Sequence, residues 1–502
     1  MAIEGVTGTE ADLELDKGLR KGALGLWSTV NLGLASTAPA YSLAATLGYV
    51  VIAVGEYAPV VMLLAFVPMW LTAVAYRELN EVVPDCGTTF TWAAKAFGPR
   101  TGWMGGWGVA VAGIVFMTSA AEVSANYFYS LIGIPDITSN RMVMLATGSI
   151  FVAVMTWVTY RGIQGAAKLQ YAMVGLQIFS LGLLSVVSLI AVFSGSADGA
   201  VSMTPQVAWL NPFGIESWSA FVQGFLLCLF IYWGFDTTLA VNEETDDATK
   251  TPGRAAIIST ILLMVIYVTV TIAALSYLGV DQLGSEQDAD DIFAVWAQPV
   301  LGEFGAKLLA FTVLVSATSS MMTTILPTAR GTLAMAVYRA IPSRFAVVHP
   351  KYMTPSFSTL MMGVVSIALF IGLSLISSNV LQDAVASTSL AIAFYYGLTG
   401  WSAVWFFRKQ SFGNGLKPLF NKFVFPLLGA LILTYALVQS AIDSLNPDYG
   451  YTTIWGIGGV FVIGIGSLAL GAVLMVVTNI FMPDYFQGKT LHHDTPVLVP
   501  DE

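Results

Sequence analysis

Apolar runs of eighteen or more residues recur along the whole chain. A run of that length crosses the ~30 Å hydrocarbon core of a bilayer as one helix. Twelve such spans are read, at about 24–50, 57–76, 102–132, 142–160, 169–194, 217–241, 255–278, 305–328, 356–378, 382–407, 423–442 and 454–481. Turn and breaker clusters such as GSADGAVSMTP and SFGNGLKPLFNK separate them. Only 10% of the 502 residues are charged, against about 25% in a soluble protein. A large soluble helical protein is therefore set aside, and the fold class is all-α integral membrane.

Lysine and arginine fix the expected orientation. With the N-terminus inside, nineteen of the twenty-one basic residues fall on the inner side, and only Arg141 and Lys307 fall outside. That bias predicts a multi-pass protein of the cell membrane with both termini cytoplasmic. The first 16 residues are polar and acidic, with no basic region before a short apolar core, so no signal peptide is read. The expected division is a cytoplasmic tail (1–23), a ten-span core (24–408), two further spans (409–482) and a second cytoplasmic tail (483–502).

Several functions lose their chemistry at this stage. There are two cysteines, Cys86 and Cys228, and three histidines, His349, His492 and His493, with every histidine outside the apolar spans. No metal site and no cofactor are expected. The spans hold no histidine, HExxH, phosphate-cradling loop or paired aspartates, so an enzyme is not expected either. Nucleic acid is not an expected partner, and membrane lipid is.

The first and sixth spans each carry an interruption. In the first it is LASTAPAYS, with Pro39 inside an apolar segment, and in the sixth it is YWGFDTT. Paired broken helices in corresponding halves are the best sequence pointer to a carrier's binding site. Such a break frees backbone N–H and C=O groups at mid-membrane, which is tolerable only where they line a cavity or meet protein. Five spans precede the second broken helix, so the halves have opposite orientation. The reading is a five-plus-five inverted repeat with two appended spans.

Four blocks carry a family resemblance: YRELNEVVPDCGTTFTWAAKAFGPRTGWMGGW, TYRGIQGAAKLQ, GFDTTLAVNEETDDATKTPGRAAI and ARGTLAMAVYRAIPSRFAVVHPKYMTP. In these the chain resembles the amino acid–polyamine–organocation transporters, over roughly residues 20–480. The resemblance implies a leucine-transporter-like fold and a permease that moves amino acids, amines or polyamines by alternating access. A polyamine importer or exchanger is one alternative. A nutrient sensor or channel on the same fold is another.

The resemblance also implies where the solute is held. The family's first break usually reads Gly-Ser/Thr-Gly, and here the triplet is Thr37-Ala38-Pro39, preceded by Ser36. Both glycines are missing and Pro39 offers no N–H, which leaves room for amines rather than an ordinary carboxylate site. Phe230 takes the place of a closing aromatic, and the backbone at Trp233 and Gly234 faces the solute. Asp236 is expected to cap the half-helix that follows it, with gating as the other reading. Glu243 and Glu244 are expected to pair with loop lysine or arginine and latch the inner side. Glu122, in the third span, either attracts an amine or lies at the outer surface. For coupling, Gln177 stands where proton-coupled relatives have lysine. Ser316, Ser319 and Ser320 follow i, i+3, i+4 spacing, as hydroxyls of a Na+ site or as packing. Na+, H+ and exchange without either stay open.

Overall fold

The computed structural model describes residues 17–197, 202–285, 292–376, 380–412 and 415–496. Its helices are α1 (Leu26–Thr37), α2 (Pro39–Val54), α3 (Ala58–Val82), α4 (Thr89–Phe97), α5 (Pro99–Leu131), α6 (Arg141–Tyr160), α7 (Ile163–Ser194), α8 (Trp218–Tyr232), α9 (Thr237–Ala240), α10 (Thr251–Leu283), α11 (Ile292–Val337), α12 (Ser356–Ile376), α13 (Val380–Phe407), α14 (Leu416–Leu419), α15 (Phe425–Asp443), α16 (Gly459–Phe481) and α17 (Pro483–Phe486). Among the described residues, 11 helical segments are long and apolar enough to cross a membrane.

The first of these segments runs from Leu26 to Val82, 57 residues. At 1.5 Å per residue it would reach about 85 Å, far beyond one bilayer. Its two ends meet the same loop. Leu24 bridges to Thr245, and Asn242 donates to the Asn80 side-chain oxygen at 2.7 Å. The segment thus leaves one face and returns to it, reversing at the 3-10 turn Gly55–Tyr57.

The two ends of the described chain also share that face. Lys17 reaches Asp85, Lys95 reaches the Thr495 carbonyl, and the Tyr485 hydroxyl donates to the Pro99 carbonyl at 2.8 Å. The loop 83–99 therefore gathers the N-terminal segment, the C-terminal segment and the ends of α3 and α5.

Helix edges depart from the sequence reading where glycine or a polar loop intervenes. The eighth span, expected over 305–328, lies in a 46-residue helix, Ile292–Val337, bent at Gly302, where φ is 71°. The N-terminal arm of that helix buries Trp296, whose indole N–H donates to the Ser188 hydroxyl at 2.9 Å. The last passage starts at Gly459 rather than near 454, because Thr453–Ile454 and Ile457–Gly458 form a small antiparallel hairpin. The sequence reading does not anticipate the amphipathic helix α4 inside the loop after the second span. It buries Thr89–Lys95 beside α5 and α13.

The core sits where α5 packs against α11 and α13. Glycines on α5 allow the close approach. A Cβ at Gly106 would lie 2.6 Å from the Met335 sulfur, and one at Gly113 would lie 2.6 Å from the Thr328 hydroxyl. Small residues at helix contacts are how membrane helices gain dispersion contacts without a hydrophobic driving force.

Candidate solute site between two broken helices

The first break is Ala38. Its backbone is left-handed, at φ 49° and ψ 69°, and its N–H closes α1 by donating to the Leu34 carbonyl at 2.9 Å. Pro39 then opens α2 at the first helical position, where a missing N–H costs nothing. A non-glycine residue in this region carries about 1–2 kcal/mol of strain. Ala38→Gly is therefore expected to hold or raise the melting temperature of the purified protein. Ala38→Val, which puts a β-branched side chain at positive φ, is expected to lower it. A lower melting temperature for Ala38→Gly would refute the strain assignment.

The second break covers Trp233 to Asp236. Trp233 is extended, at φ −73° and ψ 143°, and Gly234 has φ 122°. The two breaks touch directly. A Cβ on Gly234 would lie 2.9 Å from the Thr37 nitrogen and 3.0 Å from the Ser36 carbonyl carbon. The Ser36 and Thr237 hydroxyls share a hydrogen bond of 2.8 Å across the gap. Thr37 is different, since its hydroxyl donates to its own helix at the Gly33 carbonyl, 2.8 Å away.

Helix α11 supplies partners for the backbone groups that the first break frees. The Ser320 hydroxyl donates to the Ser36 carbonyl at 2.6 Å. Ser316 accepts from the Tyr41 N–H at 3.0 Å and donates to the Gln177 side-chain oxygen at 2.7 Å. Ser319 is fully buried, and its hydroxyl has no hydrogen-bond partner among the described residues. The serine stripe thus holds the break in shape through two of its three members.

Asp236 does not do what is expected of it locally. It stands at the N-cap position of α9, but its side chain makes no cap hydrogen bond. Its carboxylate turns instead toward α13 and accepts from the Tyr395 hydroxyl at 2.8 Å and the Tyr396 hydroxyl at 2.9 Å. The Trp233 indole N–H donates to that same Tyr395 oxygen. The physical reason is acceptor strength: a buried carboxylate is better satisfied by two phenols than by the loose end of a four-residue helix. Above this cluster Phe230, Phe116 and Tyr41 meet. Phe230 lies 6.3 Å from Tyr41 and 6.1 Å from Phe116, and Phe116 stands edge-on to Trp233 at 5.3 Å.

The face shared by the two ends of the described chain is closed by buried charge. The Lys17 ammonium lies 2.9 Å from Asp85 and 2.6 Å from Glu243, with its side chain fully shielded. Arg330 pairs with Glu244 at 2.5 Å, also shielded. Glu243 and Glu244 do pair with basic residues, but these come from the N-terminal segment and from α11 rather than from a loop. Asp85, Cys86 and Glu243 bring three ligand atoms within 4.8 Å of one another, but the Lys17 ammonium sits beside all three, 3.6 Å from the Cys86 sulfur. A second cation there would be repelled.

Burial works against the Lys17 charge, yet Asp85 and Glu243 outweigh it and hold the ammonium well above its ordinary pKa. Burial likewise opposes ionisation of Asp85, but the Lys17 charge and hydrogen bonds from Lys17, Thr91 and the Gly87 N–H hold its pKa below the ordinary value. The contribution of Asp85 is lost only as pH falls through its lowered pKa. That of Lys17 is lost only as pH rises through its raised one. Between those limits the pair stays charged.

Glu122 lies elsewhere. It pairs with Arg141 at 3.3 Å, and Arg141 also donates to the Ser374 carbonyl at 3.1 Å. This joins α5, α6 and α12 on the far side from the Lys17 cluster. Glu122 is mostly buried in this pair, with its side chain 12% exposed, so it is not the exposed surface acid of the second reading.

The amino acid permease family model matches residues 24–484. The chain belongs to the amino acid permease family. The permease is 26% identical over 457 residues to an uncharacterized transporter of Mycobacterium tuberculosis, covering 89% of this chain and 90% of that one. It is 26% identical over 422 residues to the low-affinity putrescine importer PlaP of Escherichia coli K12, covering 82% and 87%. It is 24% identical over 291 residues to the human Asc-type amino acid transporter 1, covering 57% and 53%. A solved structure of a manganese transporter mutant from Eremococcus coleocola matches at a TM-score of 0.58 and 15% identity, covering 92% of the permease and 95% of that chain. That likeness shows the shared fold alone.

Several residues of the permease's site escape the sequence reading. Tyr395 and Tyr396 are adjacent tyrosines inside an apolar span, and buried phenols require partners; that signal is present in the sequence. Tyr41 and Phe116 carry none, because aromatic residues in membrane helices are ordinary packing. Lys17 reads as inner-side charge, and nothing in its spacing pairs it with Asp85, 68 residues away.

Proposed function

We propose that this permease is a secondary carrier of amino acids or related amines, working by alternating access between the two broken helices. The direct contact of the two breaks at Gly234 and Ser36–Thr37 is the observation that carries the reading. Discontinuous helices facing each other place half-helix ends where a solute's charged groups can meet backbone. The aromatic layer of Phe230, Tyr41 and Phe116 then serves as the outer closure, and the Lys17–Asp85–Glu243 cluster as the inner one.

The acid beside the breaks is Asp236, which supports an amine-bearing solute. Glu122, held by Arg141, does not. PlaP imports putrescine and the Asc-type relative carries amino acids, so both solute classes belong in one screen. Saturable uptake into proteoliposomes, accelerated by unlabelled solute on the opposite side, is the expected result for amino acids or diamines. Phe230→Ala is expected to slow that exchange severalfold in protein that still purifies as a monodisperse peak. Uptake without acceleration would replace the carrier by a channel, and binding without uptake would replace it by a sensor.

Reading the 57-residue first segment as two passages supports a count of twelve, and the proposed orientation has both termini in the cytoplasm of a cell that carries the permease in its plasma membrane. Phe213 and Trp455 are 93% and 92% exposed and Leu416 is 74% exposed. Cysteines at Phe213 and Trp455 are expected to react with an impermeant thiol reagent from outside intact cells, and one at Leu416 only after permeabilisation. Labelling of the Leu416 site in intact cells would overturn the orientation.

A further inference from the structure

A small cavity of about 50 Å³ lies on the outer side of the aromatic layer, between α2, α8, α13 and the hairpin loop after α15. Its polar lining comprises Asp383, Tyr49, Gln223, Gln382, Tyr449 and Tyr451. Asp383 is 1% exposed. One of its carboxylate oxygens, Oδ1, accepts from the Tyr451 N–H at 3.0 Å, and Thr452 also bonds to the carboxylate. The other, Oδ2, is buried without a hydrogen-bond partner among the described residues. Among the described residues, no lysine, arginine or histidine lines the cavity. A buried carboxylate oxygen with neither donor nor cation is costly unless something visits it.

The cavity's position fits an entrance. Tyr41, Ala45 and Tyr49 follow one face of α2 at four-residue spacing, and Gln223, Leu227 and Phe230 follow one face of α8. Ala45, Tyr49, Gln223 and Leu227 line the cavity, while Tyr41 and Phe230 form the layer over the breaks. A solute leaving the cavity inward therefore meets that layer next. The rim residues Ile52 and Tyr451 are 37% and 43% exposed, so the mouth opens to the outer side.

We propose that Asp383 and this cavity form an outer subsite for a primary ammonium group, which receives the solute amine-first before it reaches the breaks. This deepens the carrier reading above and rests on it for the transport step, though not for binding. The volume matches the chemistry. At about 10–15 Å³ per water-sized position, the cavity holds three to five such positions, enough for an ammonium head with one or two methylenes and too small for a whole amino acid. The ammonium's three donors match the free Asp383 oxygen and the amide and phenol oxygens around it. A carboxylate entering first would be repelled.

The test uses purified full-length protein and ethylammonium chloride, with tetramethylammonium chloride and sodium chloride at equal ionic strength. Tetramethylammonium carries charge but no N–H donor. Ethylammonium is expected to raise the wild-type melting temperature by at least about 1 °C at saturating concentration, and neither control salt is expected to match it. Asp383→Asn keeps an acceptor for the Tyr451 N–H while removing the charge, and is expected to abolish the shift. Thr452→Val is expected to keep it, even if the outer loop is weakened and the baseline lowered. In proteoliposomes, Asp383→Asn is expected to raise the external KM about tenfold with kcat within twofold. An absent wild-type shift, a shift retained in Asp383→Asn, or an equal shift with sodium would each overturn the ammonium subsite. Failure of transport in the wild type with the binding result intact would instead count against the carrier reading.

Discussion

Gly234→Ala is expected to reduce transport at least about a hundredfold while the protein still inserts and purifies. Two costs combine at this position. The backbone has φ 122°, a conformation that L residues avoid, worth about 1–3 kcal/mol. The new methyl would also meet the Thr37 nitrogen at 2.9 Å and the Ser36 carbonyl carbon at 3.0 Å. Those are backbone atoms of the other broken helix and cannot rotate away, so overpacking adds about 1–3 kcal/mol. The strain falls on the contact between the breaks, and the bulk of the fold is untouched. Exchange in proteoliposomes against reconstituted protein mass measures it. More than a tenth of wild-type turnover in the Gly234→Ala protein would show that the breaks do not need this contact.

Lys17→Met is expected to open the inner side. It leaves Asp85 and Glu243 buried without their shared cation, and loss of one partner from a buried pair costs about 3–5 kcal/mol. Asp85 keeps donors from Thr91 and Tyr338, at 2.7 Å and 2.9 Å, and Glu243 keeps the Cys86 N–H at 2.9 Å. Those donors satisfy lone pairs without neutralising two negative charges. Burial already pushes the Glu243 carboxyl above its ordinary pKa, so Glu243 can take up a proton, while the Asp85 charge is relieved by hydration, which requires the seal to part. At 1.4 kcal/mol per decade, the open form gains roughly a hundredfold to a few thousandfold in population.

Cys86 is a built-in reporter of that change. It is fully buried, and burial holds its thiol well above the ordinary pKa, so it is inert while the seal is shut. Its labelling rate by a maleimide, in a Cys228→Ala background, is expected to rise by at least about a hundredfold in Lys17→Met. Equal rates in the two proteins would remove Lys17 from the closure.

The sequence falls short at particular residues for a common reason. Asp236 is expected to cap α9 because aspartate before a helix usually does, and the competing donors, Tyr395 and Tyr396, lie about 160 residues further on. Glu122 stays between two readings because a carboxylate on α5 can face the core or the rim according to helix rotation. Arg141, beyond the next turn, supplies a partner that the spacing does not show. Ser316 and Ser320 show the spacing of one helix face but not that the face meets the Tyr41 N–H and the Ser36 carbonyl.

What the sequence determined by itself is what the bilayer dictates locally. Helices had to form wherever long apolar runs occur, because no water is present to satisfy an open backbone. Breaks had to fall where Pro39 and Gly234 interrupt those runs, because the i to i−4 ladder cannot pass them unchanged. The tertiary structure alone decided which charges and phenols meet. Lys17 finds Glu243 across 226 residues, and Tyr395 finds Asp236 across 159. Such pairings depend on helix rotation and depth. Hydropathy leaves both free, because lipid and protein interior are equally apolar surroundings for most of a helix's surface.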